Sequence, residues 1–396
     1  MKKQVATLMA AVATVGANGL LLGPMLTEVG TSLGAIPASV AWAMSAYGGG
    51  TAMSALFLAP FIDRIGERRA LLVGMMVLFV AMLASAGAGA ISMLGAAQFL
   101  AGLGAGIVLP ASYAMATLLA TPGKESTTLG RVLLGWSLSL VAGVPIGAFI
   151  AEHVHWRACY LLLAVIAVAV GLLARCFPEQ KSRPHAAVGG TSVLSVIRMP
   201  GVLPMLIIAL VFTGSFYGVY AFVTREAQLV LAVSTGRAGS VVFAFGTGFA
   251  IAALASHILD RRGTRFLFPS ILLANGAVYA LMIPAMTSFP GILALAVIWG
   301  VFNHLCLNTI VLLLTRISPV ARGALLGLNS STTYLGLSLG TGLAGRIYPL
   351  AGFSTLALTA SVLHILASVF SIVIRAPGKS TDVYEVLAPD TAAQEH

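Results

Sequence analysis

The chain has 396 residues, 59% of them hydrophobic and 9% charged, with a formal net charge of +10. Soluble domains carry about 25% charged residues, so this composition excludes an ordinary soluble fold and makes lipid the solvent for most of the chain. The positive charge does not point to nucleic acid, because the basic residues sit in short loops between apolar runs, where the positive-inside rule accounts for them.

A helix needs about 20 largely apolar residues to cross a bilayer. Twelve stretches qualify: 4–27, 40–62, 70–91, 93–120, 130–152, 158–177, 202–224, 237–259, 266–287, 290–315, 323–346 and 353–374. The first follows Met1-Lys2-Lys3 like a signal peptide, but a cleavable core is about 7–15 residues. A retained first helix is therefore expected. The apolar stretch 70–120 is too long for one span, so a tight turn is expected at Gly87-Ala88-Gly89-Ala90-Ile91-Ser92. The expected fold class is an all-α membrane protein.

With the N-terminus inside, eighteen of the 22 Lys and Arg fall on the cytoplasmic face. Only Arg157, Arg225, Arg237 and Arg346 fall on the other, which supports both the orientation and the helix count. The segment 178–201 carries Pro178, Pro184, Gly189, Gly190 and Pro200 and reads as a cytoplasmic linker. It divides the chain into an N-terminal six-helix half, 1–177, and a C-terminal half, 202–375. A polar cytoplasmic tail, 376–396, follows. The three cysteines, Cys159, Cys176 and Cys306, show no metal-ligand spacing and read as small core residues, and no metal or cofactor is expected.

Charge is concentrated at Asp63-Arg64-Ile65-Gly66-Glu67-Arg68-Arg69, between the second and third spans. The spacing returns as Asp260-Arg261-x-Gly263-x-Arg265 at the equivalent place in the second half. Glycine permits the turn. The aspartate can accept bonds from a helix N-terminus, and the arginines can reach carboxylates on adjacent loops, Glu125 among them. The pair reads as a cytoplasmic gate, with topological anchoring as the simpler alternative.

These two knots resemble the loop 2–3 signature and its loop 8–9 copy in the major facilitator superfamily, with Ala59 in place of the leading glycine. The resemblance covers nearly the whole chain. It implies two pseudo-symmetric six-helix bundles and a substrate site between them at mid-depth. In the fifth helix, Gly135, Gly143, Val144-Pro145-Ile146-Gly147 and Trp156-Arg157 resemble the antiporter signature of drug and sugar efflux members. A proline bend and close glycine contacts suit a helix that seals one side of a cavity; plain helix packing suits the same residues. Thr213-Gly214-Ser215-Phe216-Tyr217-Gly218-Val219-Tyr220 looks like the arabinose-efflux-permease type. Members of this kind usually carry an arginine in helix 4, linked to proton coupling; here Gln98 stands in its place.

No Asp or Glu lies in the middle of a span, and Glu28 and Glu152 lie near outer ends. His304 of helix 10 is the mid-helix candidate for a coupling proton, since imidazole titrates near physiological pH. A neutral histidine bonded to a neighbouring helix fits equally. Asn18, Tyr113, Tyr217, Tyr220, Asn303 and Asn308 are the expected cavity residues, and Tyr217 and Tyr220 share a helix face. Such a lining suits a neutral or weakly polar solute. No Gly-x-x-x-x-Gly-Lys-Ser/Thr loop is present, which argues against direct ATP drive.

The reading is a monomeric, multi-pass transporter of the bacterial inner membrane with both termini cytoplasmic, not an enzyme. It exports a small organic solute by alternating access at the expense of the proton gradient. Its partners are the solute, protons and the bilayer. An importer or uniporter of a small neutral metabolite with the same fold is the alternative.

Overall fold

The computed structural model describes residues 2–57, 65–121, 124–178, 193–254, 264–318 and 321–373. The regular elements among them are all helical: α1 (Lys2–Leu21), α2 (Leu26–Ser32), α3 (Pro37–Phe57), α4 (Glu67–Ala86), α5 (Ile91–Leu118), α6 (Glu125–Leu138), α7 (Val144–His153), α8 (Trp156–Ala174), α9 (Val193–Ile197), α10 (Val202–Leu231), α11 (Thr235–Leu254), α12 (Thr264–Ala285), α13 (Phe289–Ile317) and α14 (Arg322–Val373). A π-helical turn, Ser139–Gly143, joins α6 to α7 as one span.

Ten helices among the described residues are long and apolar enough to cross a membrane. The last of these, Ala324–Val373, breaks at Gly352 (φ 74°), just after Pro349, into the eleventh and twelfth spans. Counting α3, 21 residues long, as a span as well, the described residues supply the twelve spans expected. Exposed Val165, Leu172, Leu173, Val362 and Leu366 form an outer surface that only lipid tolerates. The turn at 87–90 forms as expected: α4 closes with Gly87 N–H on Leu83 at 3.0 Å, and Arg157 clamps the Ala88 carbonyl at 2.8 Å.

Two boundaries differ from expectation. The first span stops at Leu21 rather than Thr27, because Pro24 has no N–H and disfavours the helical conformation of Gly23. The chain turns there and resumes as the short α2. The seventh span runs past residue 224 to Leu231, because Arg225 and Gln228 find polar partners near the end of α1.

Lipid provides no hydrophobic drive between helices, so close approach of small residues must hold them. A Cβ on Gly50 of α3 would strike the Phe99 carbonyl of α5, and one on Gly102 the Tyr47 carbonyl. The second bundle repeats the crossing: Gly248 of α11 lies on Val297 of α13, and Gly300 on Phe245. Each residue of the second crossing lies 198 positions after its counterpart (50 and 248, 102 and 300), so the duplication extends into the packing.

Alternate spans enter from the face that carries Lys2, Lys3, Arg68 and Arg69, termed here the basic face; the opposite end is the far face.

Candidate functional site

The two bundles meet along bonds that run from mid-depth to the far face. At mid-depth, Ser45 of α3 donates to the Ser338 carbonyl of α14 at 2.7 Å. Further out, Tyr220 and Thr224 of α10 donate to the carbonyls of Leu20 and Gly23 at 3.2 and 3.1 Å. At the far face, Arg225 donates to Thr27 Oγ1 (2.8 Å), Thr27 donates to Gln228 Oε1 (2.8 Å), and Gln228 Nε2 donates to the Pro24 carbonyl (3.2 Å). One continuous apolar core unites the bundles there. A second core lies at the basic end of the second bundle, around Val202, Leu206, Phe268, Leu314 and Leu325, and half-buried Phe302 packs against both.

Below this seal, at the centre, aromatic side chains converge. Phe216 stacks on Phe245 at 5.3 Å, Trp299 lies 4.7 Å from Phe245, and Phe249 meets His304 edge-on at 4.6 Å. Tyr47 of the first bundle meets Tyr334 of the second at 6.5 Å, nearly perpendicular. Tyrosines of the two bundles thus meet at their interface.

Several polar atoms around these spans are buried without a partner: Tyr334 Oη, Asn303 Nδ2, His304 Nδ1, Asn329 Oδ1, Ser112 Oγ and Ser331 Oγ. A buried polar group left unpaired costs about 1–3 kcal/mol, a cost that a ligand hydrogen-bonded to such atoms would relieve. The described carboxylate residues, Glu28, Glu67, Glu125, Glu152 and Glu226, all lie towards span ends.

The expected cavity residues separate under this geometry. Tyr217 and Tyr220 both pack on Phe216. Asn303 is buried, and His304 and Asn308 are half-buried on α13. Tyr113 accepts from Trp136 Nε1 at 3.0 Å. Asn18 is 1% exposed and paired with Gln98 inside the first bundle. Tyr47, Trp299 and Tyr334 were not expected from the sequence. Their one advance signal was glycine nearby, at Gly48 and Gly300 and two residues on at Gly336.

The helix with the antiporter-like residues lies between α1 and α11. A Cβ on Gly135 would strike the Met9 carbonyl, one on Gly147 would overlap Leu21, and one on Gly143 would lie 3.1 Å from Ala17. Its other side meets the second bundle, Leu140 against Gly246 and Ala148 against Gly239. Pro145 removes the N–H that the Val141 carbonyl would otherwise receive, and the helix widens into the π turn just before it.

Of the charged knots, Asp63, Arg64, Asp260, Arg261 and Gly263 lie outside the described residues, as does the Arg265 side chain. Gly66 takes φ 82°, the left-handed turn that glycine permits. Arg68 donates to the Arg175 carbonyl at 2.5 Å, tying the third span to the end of the sixth. Arg69 is engaged as well.

Comparison with known proteins adds the following. The family model described as Major Facilitator Superfamily matches residues 8–284. The chain is 27% identical over 367 residues to the uncharacterized MFS-type transporter YwfA of Bacillus subtilis, covering 90% of this chain and 88% of that one. It is 24% identical over 310 residues to a probable sugar efflux transporter of Mannheimia succiniciproducens, 77% of each chain. In structure it resembles the human organic anion transporter MFSD10, with a TM-score of 0.68 at 17% identity, over 93% of this chain and 99% of that one.

Proposed function

The chain belongs to the Major Facilitator Superfamily and is a membrane transporter, and we propose that it exports a small neutral organic solute by alternating access, in exchange for protons. The observation that carries this reading is the tyrosine-lined centre with its unpaired hydroxyl, amide and imidazole groups beneath a seam bonded across the bundles. A lining without carboxylates favours a neutral cargo over a cation. The efflux direction draws on the glycine- and proline-bearing fifth span and on the name of the Mannheimia relative.

In this reading residues 1–177 and 202–375 rock about the centre, with 178–201 as linker and 376–396 as tail. Both termini and the basic face are cytoplasmic in the bacterial inner membrane, and the protein acts as a monomer. The described conformation then corresponds to the state sealed outward. Asp63, Arg64, Gly66, Arg68 and Arg69, with Asp260, Arg261, Gly263 and Arg265, close the opposite state. His304, with an unpaired Nδ1, carries the coupling proton.

A second reading, import or uniport of a neutral metabolite, draws on Gln98: the position of the coupling arginine is held by an amide that cannot carry charge. The test begins with a thermal-shift screen of neutral sugars, organic anions and organic cations, since a ligand raises apparent stability. Counterflow of any hit in proteoliposomes, with and without a pH gradient, then separates the readings. Flux that follows the gradient supports exchange; flux indifferent to it establishes uniport.

A further inference from the structure

At the far face, two carboxylates of the first bundle land on consecutive residues of the second. Glu28 of α2 contacts the Thr235 hydroxyl through Oε1, and Glu152 of α7 accepts the Gly236 N–H through Oε2. Thr235 and Gly236 open the 20-residue α11, so both acids sit at its positive N-terminal end. The approach to Glu28 is a one-way chain of donors. Arg225 donates to Thr27, Thr27 to Gln228, Gln228 Nε2 to Thr235 Oγ1 (3.3 Å), and Thr235 to Glu28. The chain ends on Oε1, while Oε2 is enclosed with no partner. An ionised carboxylate spreads its charge over two accepting oxygens; this seam offers a donor to one.

The other ionisable groups nearby are committed elsewhere. Glu226 accepts from Tyr348 at 2.7 Å, and Arg237 lies over Phe289 and Arg346 over Trp42. His153 stacks on Phe149, and Arg157 is held by Ser32, Ala88 and Trp156, with His155 beside it. Arg225 reaches Thr27.

We propose that this seam is a proton-binding site: with the far face sealed, Glu28 is the neutral acid with its proton on Oε2, beside Glu152, and opening the seam releases that proton to water. Burial raises the Glu28 pKa above the ordinary value; the backbone N–H of Glu28 lowers it in part, the Glu152 charge raises it and Arg225 opposes, with burial the largest cause. The sealed-state value therefore lies above that of the solvated carboxyl in the open state, about 4.3. Acid stabilises the seal. Its contribution is full below the open-state value and is lost as pH rises through the sealed-state value, changing the sealed-to-open ratio by up to about tenfold per pH unit between them.

The proposal rests on alternating access, and the experiment separates the two. Spin labels at Ile36→Cys and Leu350→Cys, one exposed far-face site on each bundle, report the opening of the full chain in lipid nanodiscs. Cys176→Ser removes the exposed native thiol. The expected result is a larger short-distance population in acid than at neutral pH. Glu28→Gln, which copies the neutral acid, is expected to hold the short distance at both and lose the pH response. Thr224→Val, which cuts a different bond of the seam, is expected to lengthen the distance at both. A wild-type distance indifferent to pH, acid-induced opening, or a pH response retained in Glu28→Gln overturns the proton site. If Thr224→Val still opens the far face in that event, alternating access stands. A far face sealed under every condition, with no solute flux in liposomes, removes both.

Discussion

Asn18 of α1 and Gln98 of α5 face each other through both amides: Asn18 Nδ2 donates to Gln98 Oε1 at 3.1 Å, and Gln98 Nε2 lies 3.5 Å from Asn18 Oδ1. Gln98 Nε2 also donates to Ser85 Oγ at 3.0 Å. All three residues are at most 1% exposed. Gln98 is therefore a neutral, satisfied link among the first, third and fourth spans, at the position to which the family resemblance assigns a charge. Gln98→Leu would leave Asn18 without its amide partner, at about 1–3 kcal/mol per stranded group. A lowered melting temperature in detergent is the expected result, with residual transport keeping its pH profile. A changed pH profile would assign Gln98 a part in coupling.

Gly135 lies against the main chain of Met9 and Ala13 and the Val12 Cβ, none of which can swing away. An added Cβ would strike the Met9 carbonyl, so the first and fifth spans must separate. Gly135→Ala is expected to cost about 1–3 kcal/mol, the usual range for overpacking. Gly147→Ala should cost less, because its obstacle is the end of the Leu21 side chain. Gly95→Ala, with open space around it, should be neutral or slightly stabilising. Melting curves of the three variants check the order.

How much of this was legible follows from the kind of signal each feature leaves. The spans could be read because charge and glycine interrupt otherwise unbroken apolar runs, and the 70–120 division followed from length alone. The end of the first span was missed because Leu22, Met25 and Leu26 carry the apolar run past Pro24. Gln98 stood out as a departure, but its partner lies 80 residues away, and no local pattern encodes that meeting. Tyr47 and Tyr334 meet only because the bundles face each other. Glu28 and Glu152 were placed near outer ends, but their convergence on Thr235 and Gly236 depends on the pose of one bundle against the other.

His304 packs edge-on against Phe249 and leaves Nδ1 unpaired. His364, by contrast, is fully buried, with Nδ1 on the Ala360 carbonyl at 2.9 Å and Nε2 facing Asn275 Nδ2 at 3.3 Å. The first has spare hydrogen-bonding capacity and the second has none. His304→Gln is therefore expected to flatten the pH dependence of transport with little change in melting temperature, and His364→Gln to lower the melting temperature. Flux measured across a pH series on both variants checks the contrast; an unchanged profile in His304→Gln makes it a packing residue.

Tyr334 offers the sharpest test of the central site. Its ring packs against Tyr47 across the bundle interface, but its hydroxyl is buried without a partner. Removing a satisfied hydroxyl destabilises a protein, whereas removing an orphaned one relieves a desolvation cost. Tyr334→Phe is thus expected to leave the melting temperature unchanged or slightly raised. If the solute takes this hydroxyl as a partner, one neutral hydrogen bond of about 1–1.5 kcal/mol is lost, and affinity falls about tenfold. Titration of a screened ligand against wild type and Tyr334→Phe, read by thermal shift, measures both quantities on one sample. Equal affinity in the two proteins would place the solute away from Tyr334, whereas a fall in melting temperature with no ligand present would make the hydroxyl a structural group.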